Sequence, residues 1–182
     1  MLLWFEKFVI FNHNYQVMEK EILFAEVQKF RQWWLWLILI AASVPLMGIL
    51  IYQLATGHPV GDKPAPNSVL ALLVVFISLP MLLGFYFIKL FTVIDTESIY
   101  YGFGISTGNL NEIHLSDIQT MNVIPYRVNG IGMRLSDEFG TVYNTSGGLG
   151  LFIINNKGTK IVIGTKRPEE MKAAIDKLRK AE

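Results

Sequence analysis

The sequence has no cysteine, only three histidines and few charged residues. Without cysteine the chain cannot form disulfides, thiolate zinc sites or a cysteine nucleophile. The histidines, His13, His58 and His114, are scattered, and no two have the spacing of metal ligands. Charged residues make up 17% of the 182 residues and sum to a formal charge of +1, which provides no general attraction for nucleic acid. We therefore expect neither a metal site nor a nucleic-acid partner.

Long hydrophobic runs are present instead. Residues 33–55 read WWLWLILIAASVPLMGILIYQLA, residues 69–88 read VLALLVVFISLPMLLGFYFI, and neither run contains a charged residue. At about 1.5 Å per residue, each run is long enough to cross the roughly 30 Å hydrocarbon core of a bilayer. The alternative, two core helices of a soluble protein, predicts a polar stripe at helical spacing, which both runs lack. The sequence therefore predicts two transmembrane helices.

These spans divide the chain into five parts. We predict an N-terminal cytoplasmic segment at 1–32, a first span at 33–55, a short external loop at 56–68, a second span at 69–91 and a folded domain at 92–182. Pro45 and Pro80 lie inside the spans, where lipid-embedded helices tolerate proline as a kink. The first run is too long for a signal peptide. Residues 1–17 are treated as dispensable, because Met18 opens a better-formed lead-in to the first helix.

Basic residues near the spans predict the orientation. Four of them lie on the side of the termini: Lys20, Lys29, Arg31 and Lys89. The connecting loop contains only Lys63. Because basic residues are retained on the cytoplasmic side, both termini should be cytoplasmic. Aromatic residues at the same ends of the spans fit an interfacial belt: Trp33, Trp34, Trp36 and Tyr86.

After Phe91 the pattern changes to a period of two, broken by turn residues, which is typical of a small β domain. We predict about seven strands, namely FTVID, SIYYGFGI, LNEIHLSDIQTMNVI, GIGMRLS, TVYNTS, LGLFIIN and KIVIGT. Residues 95–97, 136–140 and 155–158 are the clearest hairpin corners. One helix follows from Pro168, with an apolar stripe that should close the open end of the bent sheet: Met171, Ala174, Ile175 and Leu178.

Seven strands followed by one amphipathic helix is the element order of the pleckstrin-homology-like (PH-like) fold. The segments FAEVQKFRQWW, GDKP, GIGMRL, YNTSGGLGLFI and IGTKRPEEM together resemble a family of small bacterial two-span membrane proteins that carry a PH-like domain. The resemblance covers residues 21–178 and rests on order and spacing. It implies a two-helix membrane hairpin followed by a partly open, mainly antiparallel β barrel, in the bacterial inner membrane. It implies little about biochemistry.

Two patterns that resemble reactive sites are better read as structure. The stretch GTVYNTSGGLG at 140–150 is rich in glycine, but a strand follows it and the lysine of a phosphate-binding loop is missing, so we expect no nucleotide and no cofactor. His114, Ser116 and Asp117 are too close in sequence to face one another in a relay. We therefore predict no catalytic residues and no enzymatic activity.

Surface residues provide the remaining candidates. Tyr126, Arg127, Arg134 and Tyr143 lie on or next to predicted hairpins, and Arg and Tyr are common in binding hot spots. A basic cluster at the last helix includes Lys166, Arg167, Lys172 and Lys177, which either form a solvated helix face or contact anionic headgroups. The first hairpin carries Asp95 and Glu97 instead of basic residues, which argues against a phosphoinositide ligand.

The predicted function is a non-enzymatic, membrane-anchored module that mediates protein contact, with self-association included, or contact with the membrane surface. The alternative is an accessory subunit of a membrane transporter or membrane enzyme, held through its spans. A transporter in its own right is disfavoured, because two spans without an ionisable residue do not line a pathway. The expected partners are the lipid bilayer and a protein or a second copy of the chain.

Overall fold

A computed structural model of the chain describes residues 21–181, with side chains to residue 180. The predictions for residues 1–17 and Met18 lie outside this range. The chain forms two compact units, one of residues Phe30–Ile88 and one that combines the residues up to Lys29 with those from Lys89 onward. The first unit is helical, and the second is a β domain.

The helical unit confirms two apolar helices of membrane-spanning length. Helix α1 is Trp33–Thr56 and helix α2 is Asn67–Phe87. Only 17% of the most apolar stretch of each helix is buried within the chain, whereas a core helix of a soluble protein is mostly buried. The predicted second span extends to residue 91, but residues 89–91 begin a strand, where the buried Leu90 and Phe91 continue the hydrophobic run.

Proline changes the hydrogen bonding of α2. Residues Val74–Ser78 form a π-helical turn just before Pro80, and the Leu79 N–H bonds to the carbonyl of Val74. Because Pro80 has no N–H, the α-helical ladder loses a donor at this point. Helix α1 passes through Pro45 without a break.

The described part of the β domain contains nine strands in two sheets and one long helix. The strands are β1 (Phe24–Lys29), β2 (Lys89–Ile94), β3 (Ser98–Gly104), β4 (Asn111–His114), β5 (Ile118–Tyr126), β6 (Gly132–Ser136), β7 (Gly140–Asn144), β8 (Gly148–Asn155) and β9 (Lys160–Thr165), and helix α3 is Pro168–Ala181. One sheet has the order β1-β2-β3-β4 and is antiparallel, and the other has the order β5-β8-β9-β7-β6. The three predicted hairpin corners are confirmed between β2 and β3, β6 and β7, and β8 and β9.

The domain begins before helix α1 in the sequence. Strand β1 pairs along its whole length with β2, from Phe24 opposite Ile94 to Lys29 opposite Lys89. The sequence pattern predicts a separate segment at residues 1–32 and a domain at 92–182, but strand β1 belongs to the same sheet as β2. The two helices therefore lie within the sequence of a β-hairpin, between its first and second strands.

The strand count also exceeds the predicted seven. A 3₁₀ turn at Leu115–Asp117 divides the long predicted segment LNEIHLSDIQTMNVI into β4 and β5, which belong to different sheets. The second sheet is mixed, since β7 and β9 run parallel. The sheets do not close into a barrel within the described residues.

The main core lies between the two sheets and α3. Its buried members come from both sheets and from the predicted helix stripe: Phe24, Ile94, Ile99, Tyr101, Leu151, Ile153, Ile161, Ile163, Met171, Ala174, Ile175 and Leu178. The stripe residues are at most 7% exposed, so the prediction that α3 buries this face is confirmed. A smaller cluster on the opposite face of the second sheet contains Tyr126, Val142 and Val162.

Candidate interaction surfaces

Two buried polar side chains of β1 join the two sheets. Gln28 donates from Nε2 to the carbonyl of Gly164 at 2.6 Å and accepts from the Thr145 hydroxyl at 2.8 Å. Glu26 accepts from the Thr165 hydroxyl at 2.6 Å and from the Lys166 N–H at 2.9 Å. Because Glu26 and Gln28 are two residues apart on a strand, they point to the same face. We call this set of four hydrogen bonds the β1 seam.

The sequence gives a weak signal for this seam. The buried face of FAEVQK carries Phe24, Glu26 and Gln28, so its inward residues are mainly polar. Hydrophobic alternation therefore does not identify β1 as a strand. A glutamate and a glutamine two residues apart also occur on many solvated strands. Here their hydrogen-bond partners, 117 to 140 positions later in the sequence, are what distinguish them as buried.

The glycine-rich stretch at 140–150 joins β7 to β8 and passes over the end of β9, which lies between those strands in the sheet. Two hydrogen bonds hold this stretch in place. The Thr145 hydroxyl donates to Gln28, and the Ser146 carbonyl accepts from the Tyr126 hydroxyl at 3.0 Å. The loop is a crossover between strands that is packed against β1 and β5.

Tyr126 lies in the core. Only 2% of Tyr126 is exposed, and its ring packs edge-on against Phe139. A β-carbon on Gly150 would lie 2.8 Å from Tyr126 Cε1, and one on Gly164 would lie 2.5 Å from the Tyr126 hydroxyl. Gly150 and Gly164 are directly opposite each other in β8 and β9, so the ring occupies space that two glycines leave open. This burial corrects the prediction that Tyr126 belongs to an exposed surface.

Tyr143 belongs to a partly buried aromatic group. Its ring packs edge-on against Tyr101 at 5.1 Å between centroids and stacks on Phe103 at 6.2 Å. Burial raises the pKa of the Tyr143 hydroxyl. The ring thus has a packing role, although part of it still reaches the surface.

Arg127 and Arg134 lie together on one groove. This groove has a volume of about 520 Å³ and is also lined by Val128, Asn129, Leu135, Ser136 and Asp137. Both arginines are exposed, and Arg134 donates from Nε to the Ile131 carbonyl at 3.3 Å. Of the four predicted hairpin residues, the structure brings these two together at an open surface.

Next to the groove is the β6 edge, the outer strand of the second sheet. Met133 and Leu135 are 65% and 88% exposed. They lie two residues apart and so share one face of the strand. Among the described strands β6 has a neighbour on one side only, and exposed leucine and methionine on such an outer strand are features of a surface that can accept another strand.

The four basic residues predicted at the last helix have different environments. Arg167 donates to both carboxylate oxygens of Glu170 and, at 2.9 Å, to the Ala25 carbonyl. Its guanidinium carbon also lies over the Phe24 ring, 5.6 Å from the ring centroid. The hydrogen bonds from Arg167 hold the pKa of the Glu170 carboxyl below its usual value. Arg167 therefore joins α3 to β1, which is a structural role.

Lys172 lines a second groove, of about 260 Å³, between α3 and strands β5 and β8, together with Glu169, Asp176 and Arg179. Lys166 and Lys177 are exposed. Because acidic side chains are interleaved with Lys172 in this groove, the four residues do not form one continuous basic patch.

His114, Ser116 and Asp117, for which no catalytic relay is predicted, each contact residues from other parts of the chain. His114 Nδ1 lies 2.9 Å from the Ser98 hydroxyl, and Ser116 and Asp117 bond to Asn156 through their carbonyls. Among the described residues, no group of three or more His, Asp or Glu side chains is arranged to hold a metal ion.

No family model, curated protein or solved structure matches this chain. Over residues 21–181, the class that the fold itself defines is a β domain of two sheets and one C-terminal helix, with a pair of apolar, membrane-length helices between strands β1 and β2.

Proposed function

We propose that this chain is a non-enzymatic membrane protein in which a two-helix hairpin holds a PH-like β domain at the membrane surface, where the domain binds another protein. The observation that carries the proposal is the short connection between the helices and the sheet. Strands β1 and β2 are paired up to Lys29 and Lys89. Three residues separate Lys29 from α1, and Ile88 alone separates α2 from Lys89.

This connection limits where the domain can act. Both strands that lead to the helices are fixed in one sheet, so the domain has two short tethers instead of one flexible linker. A tethered module of this kind works on partners that are also at the membrane, which favours contact with a membrane protein or a second copy of the chain.

The PH-like assignment is supported by two sheets with a C-terminal helix packed on their core. The bacterial inner membrane and the cytoplasmic termini are supported by the resemblance and by the basic residues beside the spans. On this assignment, β1 is an N-terminal strand that the helical hairpin separates from the rest of the domain.

The β6 edge is the contact surface that we propose for the protein partner. Met133 and Leu135 supply apolar contact area, and Arg127 and Arg134 in the adjacent groove supply directional donors to a carbonyl or carboxylate. A partner strand that pairs with β6 would cover the two exposed apolar side chains and satisfy the backbone groups of the edge.

Cysteine crosslinking in native membranes tests the contact. The chain has no native cysteine, so Leu135→Cys provides one defined thiol, and Lys157→Cys, in the turn between β8 and β9, provides an exposed control. We expect a short bifunctional crosslinker to give a discrete larger species with Leu135→Cys and little with Lys157→Cys. A species of twice the chain mass identifies self-association, and a species of another fixed mass identifies an accessory subunit.

Equal crosslinking of the two variants, or none above background, would overturn the β6 contact. Copurification of the full chain in mild detergent provides a second measurement that does not depend on where a thiol lies. A partner at fixed stoichiometry or a stable homo-oligomer is expected, and a strictly monomeric chain without a partner contradicts the proposed function.

A further inference from the structure

The turn after β3 carries an exposed apolar residue at the end of the sheet from which both helices depart. Ile105 is 69% exposed and directly follows Gly104. Gly104 pairs with Lys89, and Lys89 pairs on its other side with Lys29. Paired Cα atoms of antiparallel strands are about 4.5–5.5 Å apart, so Gly104 lies about 5 Å from Lys89 and about 10 Å from Lys29.

The local backbone places Ile105 at the tip of this turn. A β-carbon on Gly104 would lie 2.7 Å from the carbonyl oxygen of Ser106, so the chain folds back tightly in space that the glycine leaves open. Ser106 is exposed as well, and a 3₁₀ turn at Thr107–Asn109 then leads the chain to β4. Ile105 therefore projects at the reversal, away from the sheet interior.

A single exposed isoleucine is ordinary on a protein surface. The position of Ile105 distinguishes it, because helix α1 begins four residues after Lys29 and helix α2 ends two residues before Lys89. Lys29 is exposed and Lys89 is half-buried. Lysines beside a span extend their ammonium groups to lipid headgroups while their stems remain in apolar surroundings.

We propose that Ile105 inserts into the headgroup region of the bilayer beside the two helix connections, with Lys29 and Lys89 at the phosphates, and so forms a third point of membrane attachment. This inference rests on the proposed function, because it requires α1 and α2 to span a membrane. It assigns two exposed apolar sites of the domain to different partners, Ile105 to lipid and Leu135 on the β6 edge to protein.

Depth-dependent quenching tests the insertion on the full chain. The cysteine-free sequence allows three single-thiol variants, Ile105→Cys, Leu135→Cys and Val44→Cys, each labelled with the same environment-sensitive fluorophore. Leu135 is the matched exposed apolar control at 88% exposure, and Val44 lies in the middle of α1 at 54% exposure. The proteins are reconstituted into phosphatidylcholine and phosphatidylglycerol vesicles that contain lipids brominated on their acyl chains.

We expect strong quenching at Val44, several-fold more quenching at Ile105 than at Leu135, and a blue-shifted emission at Ile105. Quenching at Ile105 equal to that at Leu135, with Val44 strongly quenched, overturns the insertion and leaves the membrane anchor intact. If Val44 is also unquenched, the spans themselves are wrong and the proposed function fails with them.

Discussion

The Thr145 hydroxyl donates a hydrogen bond of 2.8 Å to Oε1 of Gln28, a residue 117 positions earlier in the chain. Thr145 is completely buried, and only 3% of Gln28 is exposed. The bond joins the first strand of the domain to the crossover loop between β7 and β8. Since the two helices separate Gln28 from the rest of the domain in sequence, this contact forms only when chain segments on both sides of the helical unit come together.

Replacing Gln28 by methionine should destabilise the domain more than the loss of one surface contact would. The variant keeps a similar volume but removes the acceptor for Thr145 and the donor to the Gly164 carbonyl. Because a buried polar group that loses its partner costs about 1–3 kcal/mol, we expect the free energy of unfolding to fall by about 2–4 kcal/mol. Urea unfolding of the full chain in detergent, followed by circular dichroism, measures this change.

A double-mutant cycle separates this bond from general damage to the strand. Thr145→Val removes the other partner, and the double variant Gln28→Met/Thr145→Val should lose less stability than the two single variants combined, by about 0.5 kcal/mol or more. Lys29→Met, at the exposed neighbouring position, is the matched control and should change stability by less than about 0.5 kcal/mol. Strict additivity would show that the two side chains act independently.

The β domain should fold without its helices only when β1 is retained. Lys29 and Lys89 are paired, so an Asn-Gly turn can connect residues 21–29 directly to residues 89–182 as a β-hairpin. We expect this fusion to give well-dispersed amide signals in NMR. Residues 89–182 alone lose all four hydrogen bonds of the β1 seam and expose the edge of β2, so we expect poor dispersion or aggregation.

A well-dispersed spectrum from residues 89–182 alone would show that β1 is dispensable. A useful control is the same fusion with Glu26→Ala and Gln28→Ala, which restores the strand pairing but not the β1 seam. The stability of this control should lie between that of the unmodified fusion and that of residues 89–182 alone.

Local patterns in the sequence predict much of this fold correctly. The residues at 95–97 form a turn because Asp95 Oδ1 accepts the N–H groups of Glu97 and Ser98 at 2.8 and 2.6 Å. The α3 stripe is buried as its spacing predicts. In both cases the signal and the structure it forms lie within a few residues of each other.

The features that sequence patterns missed depend on distant partners. Strand β1 is defined by pairing with β2 across the two helices, and its buried face is polar. Tyr126 is predicted at a surface because tyrosine is common in binding sites, but two glycines on other strands leave room for its ring. The basic residues after β9 look alike in sequence, and only the contacts of Arg167 with Glu170 and Ala25 distinguish it.

The contacts of Tyr126 with Gly150 and Gly164 predict different effects of alanine at the two positions. A methyl group at Gly164 would lie 2.5 Å from the Tyr126 hydroxyl, so Gly164→Ala should lower the free energy of unfolding by about 1–3 kcal/mol through overpacking. Tyr126→Phe removes that oxygen and should therefore recover part of the loss in the double variant. Thermal unfolding of the single and double variants measures the effect.

Gly150→Ala provides the contrasting case. Its added methyl group would lie 2.8 Å from the ring carbon Cε1 of Tyr126 and 2.9 Å from the Ile163 carbonyl. Tyr126→Phe leaves both of those atoms in place, so we expect no recovery. Equal recovery at Gly150 and Gly164 would contradict the position of the Tyr126 hydroxyl over Gly164.

Tyr101 should make the stability of the domain depend on pH in the alkaline range. Burial, with a smaller contribution from nearby Tyr143, raises the pKa of Tyr101 from 10.0 to about 12. Between these values the unfolded chain releases the Tyr101 proton while the folded chain keeps it. Unfolding is therefore increasingly favoured as the pH rises, and the stabilising effect, complete below pH 10, is lost by about pH 12.

Unfolding midpoints measured across this range should fall less steeply for Tyr101→Phe than for the unchanged chain. The two proteins differ only at residue 101, so the difference between the two slopes reports Tyr101. Equal slopes would show that its hydroxyl is accessible to solvent in the folded domain.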